Sequence, residues 1–149
     1  MMVLSILFGF VYQRVTAVEP SIALVNAIIQ KESHGDDFAI GDTKLRNMAY
    51  GPMQIRQPCM DDVNRVCGTS YSAQDCLGNR ELSIWVFHRY MEIYATEKRL
   101  GHEPTDSDRA AIWNGGPNGG QNPKAQTYSA SVIRIMARQS LKERPLAKK

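Results

Sequence analysis

Apolar positions recur along the chain with a helical period. Ile22, Val25, Ile28 and Ile29 fall on one face of the segment ending at Ser33. Glu19-Pro20-Ser21 opens that segment, with proline in the first turn and Gly35 near its end, so a helix over about 20–33 is predicted. Residues 34–56 keep no sustained period. They hold Gly41, Gly51, Pro52 and the short alternation "FAIGD", which reads as a loop or small hairpin. Pro58 begins a second helix, "PCMDDVNRVC", stopped by Gly68. From Asn79 to Leu100 the spacing of Leu82, Trp85, Val86, Tyr90, Ile93 and Tyr94 predicts one long helix ending at Gly101, with Trp85 and Tyr94 in the core. Thr105-x-x-Asp108 is a cap signal for the helix of "TDSDRAAIW". A Gly/Asn loop follows, and a last helix spans Lys124 to Leu141. The prediction is a mainly α domain with one irregular segment, and such segments usually carry function.

That segment directs attention to the end of the first helix. Glu32 follows an apolar run, where it is either an ordinary solvated helix end or a carboxyl held in a cleft. Two other stretches do not read as structural filler. "AYGPMQI" (49–55) sets Gln54 between apolar residues, and an amide both donates and accepts, as a sugar's hydroxyl and N-acetyl groups require. "IWNGGPNGG" (112–120) places Asn114 between Trp113 and the pair Gly115-Gly116, which permits close approach of the backbone to a bulky ligand. No strand precedes that loop and no Gly-Lys-Ser/Thr follows it, which argues against a nucleotide site.

Composition adds bounds rather than direction. The 149 residues suffice for one domain with a real core, and 43% hydrophobic with 22% charged residues excludes a disordered chain. A net charge of +3 suits an anionic polymer without choosing one, and part of it lies in the basic tail 142–149. The run "MMVLSILFGFVY" is too short to span a bilayer and has the length of an export-signal core, so residues 1–17 are expected to be a signal peptide and 18–141 the domain. No basic residue precedes that run; the first is Arg14. Cys59, Cys67 and Cys76 fit no zinc spacing; either Cys67 and Cys76 form a disulfide or all three are small buried apolar groups. His34, His88 and His102 are scattered and read as solvated, and no metal or cofactor is expected.

Taken in order, Glu32-Ser33, "GPMQI", "WNGG" and a tyrosine in the last helix resemble the catalytic core of SLT-type lytic transglycosylases, and also that of goose-type lysozymes. The resemblance runs from about Pro20 to Met136, with Pro52 standing where the family more often has leucine. It implies a lysozyme-like fold acting on the β-1,4 bond between N-acetylmuramic acid and N-acetylglucosamine in peptidoglycan. By the same resemblance, Glu32 matches the general acid/base, Ser33 its partner, Met53 and Gln54 the cleft, Asn114 a sugar-binding amide, and Tyr128 the tyrosine beside the acid. Ile55, Trp113 and Gly115 complete the expected substrate-binding set.

The chemistry agrees. A glycosidic acid must stay protonated near neutral pH, and an apolar pocket achieves this by desolvating the charged form. Ile28, Ile29, Met53, Ile55 and Trp113 are the expected walls. Hydrolysis usually needs a second carboxylate. A transglycosylase needs none, because the muramic acid's own 6-hydroxyl attacks. Asp42, in the irregular segment, is the candidate second acid of the hydrolase alternative; its other reading is a turn residue. A non-catalytic glycan-binding protein is the second alternative. The expected partner is the peptidoglycan glycan strand, with no nucleic acid, no lasting membrane span and no second protomer. The expected location is secreted, periplasmic or wall-associated.

Overall fold

A computed structural model describes residues 19–142. The expected export signal 1–17 lies outside the described residues, as does the basic tail beyond Lys142. Among the described residues the order is α1 (Ile22–Ser33), β1 (Ile40–Gly41), β2 (Ala49–Tyr50), α2 (Gln57–Cys67), a 3-10 turn (Ala73–Cys76), α3 (Arg80–Tyr94), α4 (Glu97–Leu100), α5 (Asp106–Gly115), a second 3-10 turn (Gly119–Gln121) and α6 (Pro123–Lys142). The mainly α reading holds, and the irregular segment is a small antiparallel hairpin pairing Ile40 with Tyr50 and Gly41 with Ala49. No helix among the described residues is long and apolar enough to cross a membrane.

Helix ends follow local chemistry. Ser21 is the N-cap of α1, its hydroxyl accepting from the Leu24 N–H at 3.1 Å, so Pro20 stands before the cap rather than in the first turn. Thr105 and Asp108 form the expected capping box on α5. The long helix expected over 79–100 breaks. Ala95 and Thr96 leave helical geometry and Thr96 caps the separate turn α4. Thr96 makes no side-chain cap bond, so its hydroxyl does not explain the break.

The core gathers Leu24 and Ile28 of α1, Met53 and Ile55 after the hairpin, Met60 and Val63 of α2, Phe87 of α3, Ile112 of α5 and Val132 of α6. Ile22, expected on the buried face, is 81% exposed, because it occupies the first turn, ahead of where α1 meets its neighbours. Trp85 and Tyr94 pack on the edge of the core and stay half-buried, Tyr94 donating its hydroxyl to Asp62 at 2.7 Å. His88 is half-buried beside Glu19 rather than solvated, its Nδ1 at 2.9 Å from the carboxylate. His34 and His102 are exposed, as expected. The cysteines are free thiols, so the Cys67–Cys76 bridge is not formed. Cys76 is fully buried, and burial raises its thiol to about 11.

The segment "AYGPMQI" is a tight turn. Tyr50 and Ile55 exchange two backbone hydrogen bonds of 2.9 Å, and the Gly51 N–H reaches back to the Ala39 carbonyl at 2.9 Å. Gly51 has φ +74, and a Cβ there would collide with the Cys76 carbonyl. Replacement Gly51→Ala should therefore destabilise the domain by about 2 kcal/mol or more, from left-handed strain plus overpacking. Thermal or denaturant unfolding of the variant checks this.

Candidate active site

Glu32 occupies the last turn of α1. The apolar face of that helix enters the core through Val25, Ile28 and Ile29, so rotation about the helix axis directs the residue at position 32 along the rim of the buried face. Its carboxylate accepts a hydrogen bond of 2.5 Å from the Tyr128 hydroxyl of α6, ninety-six residues away. Burial raises the Glu32 pKa above its ordinary value. The Tyr128 bond and the nearby charges of Lys31 and Arg56 pull it back down, while Asp42 pushes it up. Tyr128 is itself shifted far upward, chiefly by burial and then by the facing carboxylate, and so stays a neutral donor.

A cleft of about 270 Å³ opens in front of Glu32. It is lined by Asp42, Gln54, Ile55, Arg56, Trp113 and Asn114 around that carboxyl, with Tyr90 and Cys59 at its back. Trp113 is held edge-on against Phe87 at 5.1 Å and Tyr90 at 5.9 Å, so its orientation is set by α3. Asn114 is the exposed residue at the C-terminal end of α5, presented to the cleft opposite α1.

The structure separates the expected site residues into two groups. Glu32, Asp42, Gln54, Ile55, Trp113 and Asn114 share the cleft, and Tyr128 meets it through Glu32. Ser33, Met53 and Gly115, expected to bind substrate, are not among the residues that line this cleft. Met53 is fully buried, along with Ile28, and Ile29 is nearly so. The Ser33 hydroxyl sits at 2.9 Å from the Pro52 carbonyl and 3.2 Å from that of Ile29, and it does not bond Glu32. It ties the end of α1 to the "GPMQI" turn. Pro52 is buried within that turn with its carbonyl engaged. Gly115 serves packing: a Cβ there would stand 2.6 Å from Ala125 Cβ, so its absence lets α5 close on α6.

Gln54 is more constrained than its sequence context suggests. Its backbone is left-handed, φ +52, and its amide nitrogen donates to the Gly51 carbonyl at 2.9 Å and the Ala39 carbonyl at 3.2 Å. Only its carbonyl oxygen remains for a ligand, and that oxygen occupies the space where residue 41, a glycine, has no side chain. Asp42, also left-handed at φ +52, pairs directly with Arg56, whose other guanidinium nitrogen donates to the Asn47 carbonyl at 2.5 Å. Arg56 escaped the sequence reading. Its signal was positional: an arginine at the N-cap of α2, with no side-chain cap bond, where short polar residues are favoured.

The family model of the transglycosylase SLT domain matches residues 12–135. No curated protein sequence matches the chain. Among solved structures, the fold is similar to Tapes japonica lysozyme, with 24% identity over 77% of this chain and 89% of that one, TM-score 0.63. It is also similar to inhibitor-bound lysozyme from Meretrix lusoria, with 22% identity over the same shares and TM-score 0.65. The complex of Aeromonas hydrophila PliI with Meretrix lusoria lysozyme gives the same values, 22%, 77%, 89% and 0.65. At these identities the likeness speaks for the fold. The match covering most of the chain, together with a carboxyl at the end of α1 facing an amide-lined cleft, places this protein in the transglycosylase SLT domain family.

Proposed function

We propose that the chain is a lytic transglycosylase cleaving the β-1,4 bond between N-acetylmuramic acid and N-acetylglucosamine, with Glu32 as its one general acid/base. The observation that carries this reading is the half-buried Glu32 carboxyl, shifted toward its protonated form and held by Tyr128 in the cleft. Protonated Glu32 donates to the glycosidic oxygen as the bond from muramic C1 to that oxygen breaks. The resulting carboxylate then takes the proton from the muramic 6-hydroxyl as O6 bonds to C1, closing a 1,6-anhydro ring. The proton count balances without a second carboxylate. Gln54 Oε1 and the Asn114 amide supply the acceptor and donor for sugar hydroxyl and N-acetyl groups. Tyr128 is a positioning residue that acts through Glu32. The wall as substrate accords with a secreted or periplasmic place of action.

A hydrolase reading draws support from Asp42, which lines the same cleft, and from the lysozymes that share the fold. Against it, the Asp42 carboxylate is held by Arg56 and is not free to orient a water. A pure binding protein has little use for a desolvated acid that costs stability.

Mass spectrometry of the fragments released from purified cell walls separates these readings: anhydro-muramic ends are expected, and reducing ends would support the Asp42 route. Replacement Glu32→Gln should lower turnover by about 10²–10⁴-fold. The same variant should show a pH-dependent gain in stability. A carboxyl whose folded pKa is raised does no harm to the fold below its unfolded value of 4.5, but destabilises it as pH rises through the folded value. Glutamine cannot ionise, so the variant should melt above wild type at alkaline pH and level with it in acid. Replacement Tyr128→Phe removes a bond that favours the carboxylate, so the alkaline limb of the activity profile should move upward while turnover falls about 10–100-fold. A pH–rate series on that variant measures both effects.

A further inference from the structure

The cleft holds a second acid under restraint. Asp42 closes the turn after β1, its carbonyl accepting from the Leu45 N–H at 2.8 Å. Its left-handed backbone, φ +52, is one that aspartate tolerates. Its side chain lines the same cavity as Glu32 and meets Arg56, its one ion-pair partner among the described residues. Arg56 stands at the start of α2, fourteen residues on, and spends another guanidinium nitrogen on the Asn47 carbonyl. One planar fork thus ties both ends of the loop 42–47. The pair is not buried. Its side chains are 38% and 50% exposed, so the contact opens at small cost and weakens with salt.

Two routes through this cleft begin alike. Glu32 gives its proton to the glycosidic oxygen, and the bond from that oxygen to muramic C1 breaks. What then bonds to C1 decides the product. With O6 as the attacker, the Glu32 carboxylate takes the O6 proton and a 1,6-anhydro ring closes. With water as the attacker, a carboxylate free of its partner takes one water proton as the water oxygen bonds to C1. The second proton stays in the new C1 hydroxyl, which is a reducing end. The captured proton passes to solvent, Glu32 regains one from solvent, and one water is consumed per bond.

Resting on the proposed function, we infer that Arg56 sets the product of the reaction: by holding Asp42 it suppresses hydrolysis in a cleft that carries a carboxylate able to support it. Arg56 is a positioning residue that acts through Asp42. The protein is then a transglycosylase with a restrained hydrolase in the same cavity. Its products include a minor share of reducing ends, and the open fraction of one ion pair sets that share.

The ratio of reducing to anhydro ends, read by mass spectrometry of fragments from purified cell walls, measures this partition. Both products follow the same bond-breaking step, so folded fraction and substrate affinity change the amount of product and leave the ratio alone. Arg56→Gln should raise the ratio about two- to fivefold, the factor by which an exposed ion pair biases its partners. Arg56→Lys, which keeps the charge and loses the fork, should fall between wild type and that variant. Arg56→Gln combined with Asp42→Asn should return the ratio to the wild-type value or below. A second arm keeps every tie of Arg56 to the loop: raising salt from about 0.05 to about 0.5 M should raise the ratio for wild type, and Asp42→Asn should abolish that response. A ratio that neither Arg56→Gln nor salt moves, while anhydro ends still form, would overturn the role given to Arg56. So would a rise that persists when Asp42 is replaced. Wild type that releases reducing ends alone, or no fragments at all, would overturn the transglycosylase reading and this inference with it.

Discussion

The hydrogen bond from Tyr128 to Glu32 is the constraint on which the rest of the site depends. It joins the end of the first helix to the second turn of the last, and it exists only because α1 packs along α6. A carboxyl half-removed from water is held near neutrality by desolvation, yet it needs one donor to fix its direction. The Tyr128 hydroxyl supplies that direction, and its bond is also the largest of the influences that pull the Glu32 pKa back down. A lysine or arginine in direct contact would have drained the acidity away. Lys31 and Arg56 stand near enough to pull on Glu32, but the hydrogen bond itself goes to tyrosine.

The opposite wall of the cleft is built from backbone as much as from side chains. The "GPMQI" turn is fastened three times: by Tyr50 pairing with Ile55, by Gly51 bonding Ala39, and by the Ser33 hydroxyl at the Pro52 carbonyl. Gln54 then uses both hydrogens of its amide to lock the turn onto the hairpin. The residues of this motif thus divide labour. Met53 and Pro52 fill the core, Gln54 holds geometry through its amide, and of the five residues only Gln54 and Ile55 line the cavity. A motif that looks like a row of ligand contacts is mostly a clamp.

Arg56 links the electrostatics of the cleft to its loop. By gripping Asp42 and the Asn47 carbonyl it orders the chain between the two short strands, and it places a positive charge at the cleft while occupying the nearest second carboxylate. One residue therefore shapes the loop, holds Asp42 and biases Glu32. Such coupling follows from the small size of the cavity, in which few charged groups can avoid one another.

Local rules read much of this protein from its sequence. Apolar spacing located the main helices, glycine and cap residues marked their ends, and the lapse of helical period at 34–56 marked the hairpin. The ordered set of Glu32, Gln54, Asn114 and Tyr128 named the residues that meet around one cavity. Tertiary structure alone decided the rest. Nothing in the periodicity of 79–100 revealed that Ala95 and Thr96 would leave the helix, since the apolar spacing runs through them unchanged. That Ser33 would tie α1 to the turn and Gly115 let α5 close on α6 was not legible either, because those contacts depend on how α1, the hairpin and α5 pack against their neighbours. Arg56 and Asp42 became partners only when a fourteen-residue separation closed across the hairpin. Sequence sets which side chains are available and along which local face they lie. Their acidity and their pairings arise from burial and from neighbours distant in the chain, which exist only in the folded state.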